Sequence, residues 1–356
     1  MALPDFVVIG APEAGTSSLH AALTRHLGLA MSPVAEPGYF LTSGRPRDDA
    51  SPPGHGGGAS SGGPVGPAGH PGLGGSASPT GLSGPGGPGD LAGSGDLAGT
   101  GGSRAAGGAG LTSENYIWCL SDYETLFPGG DGRRPRGEST PYYLAEFSAQ
   151  RRMHELLPYL RMIAVLRDPV ERAYANWLAH RRTGLEPLPT LIEALDAEEE
   201  RCAAGWSRRW RYAELGRYGV QLRRLYTLFP PSQVLLVRYR DLVLEPAAVL
   251  RRVCGFVGAV DPAAGFGCDS RIFAPATIDP GTTRVVREAV PAAVDPMDAV
   301  LAELRRSLRP GPPPPPGLRE QVLDRFRDDI ALLGQLTGSS FAKWLDRGDL
   351  PLTAGR

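Results

Sequence analysis

Three short, continuous apolar runs punctuate the chain. Phe6 to Ile9, Met162 to Leu166 and Val234 to Val237 are rich in β-branched side chains, the pattern of strands buried on both faces. Around them, apolar positions recur at helical spacing. Ser17 to His26 reads as a helix after the first run, and another opens near Val170 after the second. Tyr218, Leu222, Leu225 and Phe229 form one helical face ahead of the third. A last helix is predicted over Leu318 to Leu333, with Val322, Phe326, Ile330 and Leu333 on one side and Gly334 as its stop. Strands of this kind alternating with amphipathic helices predict an α/β, three-layer fold in which a central parallel sheet is flanked by helices. Ligands in such folds bind at the carboxyl ends of the strands.

One long stretch breaks the pattern. Residues 42–113 are dominated by Gly, Ala, Pro and Ser, with Gly89-Asp90-Leu91-Ala92-Gly93 repeated as Gly95-Asp96-Leu97-Ala98-Gly99. Such a composition buries too little apolar surface to offset chain entropy, so it is expected to be a disordered insertion. A single domain would then comprise residues 1–41 and 114–356, since insertions in surface loops cost little closure entropy. Pro310 to Gly317, with five consecutive prolines, reads as a stiff extended spacer.

Charge and cysteine usage narrow the function classes. The net charge of the 356 residues is -1, which gives no reason to expect a nucleic-acid or membrane-surface partner. Almost all the basic side chains are Arg, and Lys343 is the sole lysine. Cys119, Cys202, Cys254 and Cys268 are scattered without a C-x-x-C pair or nearby His, so free thiols are expected and no metal site is signalled. No apolar run reaches the roughly 18 residues of a membrane span. Met1 to Asp5 runs almost directly into the first strand, leaving no room for a signal peptide, and a cytoplasmic protein is expected.

The candidate chemistry begins where the first strand ends. Gly10-Ala11-Pro12-Glu13-Ala14-Gly15-Thr16-Ser17-Ser18-Leu19 links that strand to a helix. Gly15 can take a positive φ, and the first N–H groups of the helix, with its dipole, suit a phosphate. A simple βα turn with a hydroxyl cap accounts for the same residues. A Walker A loop fits the glycine spacing, but Thr16 stands where its lysine must reach the terminal phosphates, so a P-loop kinase or NTPase is the weaker alternative.

The segment resembles the 5′-phosphosulfate-binding loop of sulfotransferases, Gly-x-x-Lys-x-Gly-Thr-Thr/Ser-x-Leu, with Glu13 at the place of the family lysine. A second segment, Leu166 to Trp177, is similar to the family's 3′-phosphate motif, with Arg167 closing a strand and Ala175 at the place of its serine. The resemblance implies a P-loop-like fold, the co-substrate 3′-phosphoadenosine 5′-phosphosulfate, no metal, and nucleotide contacts from Gly10, Ala14, Gly15, Thr16, Ser17 and Ser18. It adds Arg167, the Ala175 position, Tyr218 beside the nucleotide, and Arg284 from a late basic loop. Ala35-Glu36-Pro37-Gly38-Tyr39-Phe40 resembles the family's Lys-Glu-Pro-His-Phe-Phe, whose Glu is the base in the heparan sulfate branch, which makes Glu36 the base candidate. Gly137-Glu138-Ser139-Thr140-Pro141 resembles a family strand end and adds Glu138 as a second acid/base candidate.

Taken together, these segments imply a bacterial-type relative of the heparan sulfate branch. Such an enzyme would move a sulfuryl group to a hydroxyl or amine of a small intracellular acceptor. A catalytically impaired relative that binds nucleotide or a partner is the alternative, because a carboxylate at Glu13 opposes the charge on the leaving phosphate.

Overall fold

The first apolar run becomes β1, Phe6–Gly10, the middle strand of a five-stranded sheet. Phe6, Val7, Val8 and Ile9 are fully buried, as the unbroken apolar pattern requires. The structure is a computed structural model and describes residues 3–42, 116–127, 134–259, 277–278, 285–286, 296–308 and 311–346. Apart from Thr42, the insertion proposed for residues 42–113 lies outside them.

The sheet order is β2 (Ala30–Met31), β3 (Arg136–Ser139), β1, β4 (Arg161–Leu166), β5 (Val234–Arg238), with every neighbouring pair parallel. Around it run α1 (Thr16–Thr24), α2 (Leu120–Thr125), α3 (Phe147–Leu156), α4 (Pro169–Arg182), α5 (Leu191–Asp196), α6 (Glu198–Ala203) and α7 (Tyr218–Leu225). The chain continues through α8 (Tyr239–Leu244), α9 (Pro246–Val257), α10 (Pro296–Ser307), α11 (Leu318–Val322) and α12 (Arg327–Thr337). A short antiparallel pair, β6 (Thr277–Ile278) and β7 (Val285–Val286), stands apart from the sheet. This is the predicted P-loop-like α/β class. β2, only two residues long, is too short to show in the hydrophobic pattern.

Helix boundaries depart from the predicted ones for local reasons. Helix α1 ends at Thr24, because the His26 ring turns the chain by accepting the Gly28 N–H at Nδ1. Phe229 lies beyond the end of α7, in the turn before β5, and is buried there.

The single helix predicted over Leu318 to Leu333 is instead α11, a 3₁₀ turn at Leu323–Arg325, and α12. Its apolar face is nevertheless buried as expected, with Val322, Phe326, Ile330 and Leu333 all in the core. Gly334 does not stop the helix. Gly338 does, at φ 62°, the left-handed geometry that a C-terminal glycine supplies.

Helices α7 and α12 approach closely at Gly219. A Cβ there would come 2.5 Å from the Asp329 carbonyl oxygen and 3.0 Å from the Leu333 nitrogen. Asp329 also accepts the N–H groups of Gly219 and Val220 at 2.8 and 2.9 Å. Gly219→Ala is therefore expected to force the helices apart and destabilise the fold by about 1–3 kcal/mol. Thermal unfolding of the variant checks this, and an unchanged midpoint would show that the crossing can relax.

Candidate functional site

Both sequence motifs come together at the carboxyl ends of β1 and β4. After β1 the chain is held against β4 by the Ala11 N–H, which donates to the Val165 carbonyl at 2.7 Å. Gly15 then begins α1 at φ 82°. A Cβ at this position would lie 2.6 Å from Leu308 Cδ2, so both backbone and space call for glycine. The first turn of α1 carries no acidic residue and its N-cap makes no side-chain bond. The N–H groups of Thr16, Ser17 and Ser18 and the positive end of the helix dipole thus form the start of an anion site. Ala14 and Thr16 are buried, Ser18 is half-buried and Ser17 is exposed.

Arg167 leaves the end of β4 and reaches across to this loop. Its Nη1 donates to the Glu13 carbonyl at 3.1 Å, its Nε meets Glu171 at 3.4 Å, and its guanidinium lies 4.8 Å over the Tyr239 ring. The backbone of Arg167 is fixed as well, since the buried Tyr218 hydroxyl donates to its carbonyl at 3.0 Å. Next in the chain, Asp168 caps α4 by accepting the Val170 and Glu171 N–H groups. Arg319 of α11 forks onto the same carboxylate at 2.9 and 2.8 Å. Ala175 sits half-buried on α4.

Glu13 and Glu36 are, among the described residues, the two residues other than glycine with positive φ, 62° and 55°. Left-handed backbone is costly for such side chains and is retained where the surroundings enforce it. Around Glu36 the enforcing bonds come from β3 and the turn after it. The Glu36 N–H donates to the Ser139 carbonyl, the Gly38 N–H to Thr140 Oγ1, and the Phe40 N–H to the Tyr143 hydroxyl. Burial raises the Glu36 carboxyl to about 7; the Glu13 carboxylate pushes in the same direction and the Arg209 guanidinium opposes both. A carboxyl in that range can give or take a proton near neutral pH.

Glu138 has a different environment. It is fully buried on β3, where Tyr123 and Thr140 donate to its two oxygens at 3.0 and 2.8 Å. Burial lifts it to about 7 against these hydrogen bonds. It lies within the core rather than at the strand ends.

The structure therefore brings Glu13, Gly15, Thr16 to Ser18 and Arg167 together on the β1 and β4 side, and places Glu36 on the β3 side, electrostatically coupled to Glu13. Tyr218 supports Arg167 from behind. Arg284 lies outside the described residues. Four neighbours escaped the sequence analysis as site residues. Arg209 and Tyr116 both act on Glu36 and on Tyr142. Arg172 is fully buried beneath the site, with its Nε unpartnered among the described residues. The basic and aromatic run Trp206 to Arg211 was the legible signal for Arg209, whereas Tyr116 had none.

Residues 123–262 match the model of the sulfotransferase family. The chain is 30% identical over 156 residues to human bifunctional heparan sulfate N-deacetylase/N-sulfotransferase 2, covering 41% of this chain and 17% of that protein. It is 29% identical over 153 residues to human heparan sulfate glucosamine 3-O-sulfotransferase 6, covering 39% of this chain and 40% of that protein. The chain thus spans well under half the length of these curated relatives. A sulfotransferase from Alicyclobacillus acidocaldarius superposes over 97% of this chain and 100% of its own, with a TM-score of 0.61 and 22% identity, a likeness of fold. Among the described residues no helix is long and apolar enough to cross a membrane.

Proposed function

We propose that this chain, whose residues 123–262 match the sulfotransferase family model, transfers a sulfuryl group from 3′-phosphoadenosine 5′-phosphosulfate to a hydroxyl or amine of a small acceptor. The observation that supports this most directly is the contact from Arg167 Nη1 to the Glu13 carbonyl. It ties the two phosphate-binding segments into one site at the strand ends, where nucleotides bind in parallel α/β sheets.

The residues present fit such a co-substrate. The N–H groups opening α1 would hold the 5′-phosphate, and the Arg167 guanidinium, with only 11% of its side chain exposed, would meet phosphate oxygens in a largely desolvated setting. Glu36 would take the acceptor's proton as the acceptor oxygen or nitrogen bonds to sulfur. The bond from sulfur to the 5′-phosphate oxygen breaks, leaving 3′-phosphoadenosine 5′-phosphate. Glu36, at the strand ends, suits that role better than Glu138, which is closed in by hydroxyl donors in the core.

The curated relatives name a polysaccharide, heparan sulfate. A small acceptor is proposed here from the sequence pattern. Glu13 favours a second reading, a relative that binds nucleotide and transfers slowly, because an exposed carboxylate stands at the position of the family lysine.

Calorimetric titration with 3′-phosphoadenosine 5′-phosphate tests both. One-to-one binding is expected, weakened by about tenfold or more in Arg167→Ala. Failure of the wild-type chain to bind would sink both readings.

A further inference from the structure

Tyr116 lies against the turn that carries Glu36. The Ile117 N–H donates to the Pro37 carbonyl at 2.9 Å, which fixes the segment on that turn. Gly38 follows at φ 65°, and a Cβ built on it would lie 2.2 Å from Tyr116 Cδ1. The phenol ring therefore fills the space that any side chain at position 38 would need. The Arg208 guanidinium lies beside its hydroxyl. Arg208 is itself anchored, its Nε 3.1 Å from Glu146, the residue that precedes α3.

Because a guanidinium only donates, it can approach the phenol only at its oxygen, which leaves the phenol proton to point elsewhere. Burial keeps that proton on the oxygen at neutral pH, against the pull of the Arg208 charge and with the Glu36 charge on its side. The groups around it are Glu36, Tyr142 and Arg209.

We propose that Tyr116 is the acceptor-orienting residue of this site: its hydroxyl, carried by a ring packed on the Glu36 turn, donates to the incoming nucleophile and directs it at Glu36. This rests on the transfer chemistry proposed above. Because both groups belong to one turn and its covering segment, nucleophile and base are aligned by the same backbone, and alignment of this kind lowers the barrier without altering nucleotide binding.

Water serves as the probe acceptor. Its oxygen bonds to sulfur, its proton passes to Glu36, and the bond from sulfur to the 5′-phosphate oxygen breaks, giving sulfate and 3′-phosphoadenosine 5′-phosphate. Product formation from 3′-phosphoadenosine 5′-phosphosulfate is measured across pH in wild type, Tyr116→Phe and Tyr116→His, alongside affinity for the product nucleotide and the melting temperature.

Tyr116→Phe is expected to lower kcat about tenfold or more, with KM, nucleotide affinity, melting temperature and the pH midpoint retained. Tyr116→His, which keeps a donor, should recover part of the rate. Equal kcat in wild type and Tyr116→Phe would overturn the inference and leave the transfer chemistry standing. A loss of kcat accompanied by weaker nucleotide binding or a lower melting temperature would assign Tyr116 a structural role and overturn it too. A wild-type chain that binds nucleotide without turnover overturns it in favour of the impaired relative. No binding at all removes the transfer chemistry with it.

Discussion

Glu13→Lys is expected to tighten binding of 3′-phosphoadenosine 5′-phosphate by about tenfold to a hundredfold, the range for a charge-assisted contact replacing a repulsive one. The position favours a clear result, because the loop backbone already holds Glu13 in left-handed geometry, at φ 62°, next to the opening turn of α1. A lysine placed there inherits that direction without rebuilding the loop.

A second readout comes from Glu36, whose carboxyl lies at about 7 because of burial and the charge of Glu13. Removing that charge stabilises the ionised form of Glu36, so its midpoint moves down toward the ordinary carboxylate range, while burial still holds it above that range. The base is competent when ionised. The pH profile of turnover should therefore extend to lower pH in Glu13→Lys, with the acid limb shifted down. Arg209, which also faces Glu36, favours the ionised form in both proteins and leaves the direction unchanged. An affinity within twofold of wild type and an unmoved acid limb would show that position 13 does not face the phosphates. Turnover appearing only in Glu13→Lys would select the impaired relative.

Arg319→Ala should be the most damaging single change for the fold. Arg319 and Asp168 keep only 4% and 5% of their side chains exposed and meet through two short bonds. Arg319 also donates to the carbonyls of Trp344 and Asp346, so one guanidinium joins α11, the C-terminal segment and the start of α4. Its removal leaves a buried carboxylate without its cation, a loss worth about 3–5 kcal/mol, or roughly 10 °C in melting temperature for a domain of this size. Asp168→Asn combined with Arg319→Met should be less damaging, because no charge is then stranded. A drop under about 2 °C in Arg319→Ala would show that water enters and solvates Asp168. Nucleotide affinity should fall in parallel, since Arg167 is the residue before Asp168.

The fold was legible wherever a buried strand spelled itself out in consecutive apolar residues, as in β1, β4 and β5. The short edge strand β2 has too few residues to carry a pattern. The long C-terminal helix was misjudged because spacing records which residues face the core and not whether the backbone between them stays helical. Val322 and Phe326 face inward on either side of a 3₁₀ turn. Gly334 and Gly338 look alike in sequence, yet only the second has the backbone angle that ends a helix.

The site divided in the same way. Gly15 and Arg167 lie within local motifs, so their placement followed from strand and helix order. The Arg209 contribution depends on a segment that returns to the site from between α6 and α7, and Tyr116 depends on a ring meeting a glycine far away in sequence. Tyr218, read as a nucleotide neighbour, holds the carbonyl of Arg167, a contact that residue type alone does not reveal. Glu138 belongs to a segment that reads in sequence as a strand end, but its burial and three surrounding hydroxyls make it an internal carboxylate.

β1 has β3 on one side and β4 on the other. The proposed proton-accepting half of the site is fastened to β3 and the proposed phosphate-binding arginine to β4, so the two are separated by two strand spacings, about 9–10 Å. That width belongs to the sheet and not to any loop. Loops on the acceptor side can therefore lengthen, shorten or change composition, and with them the molecule that is modified, while the span between donor and base stays constant.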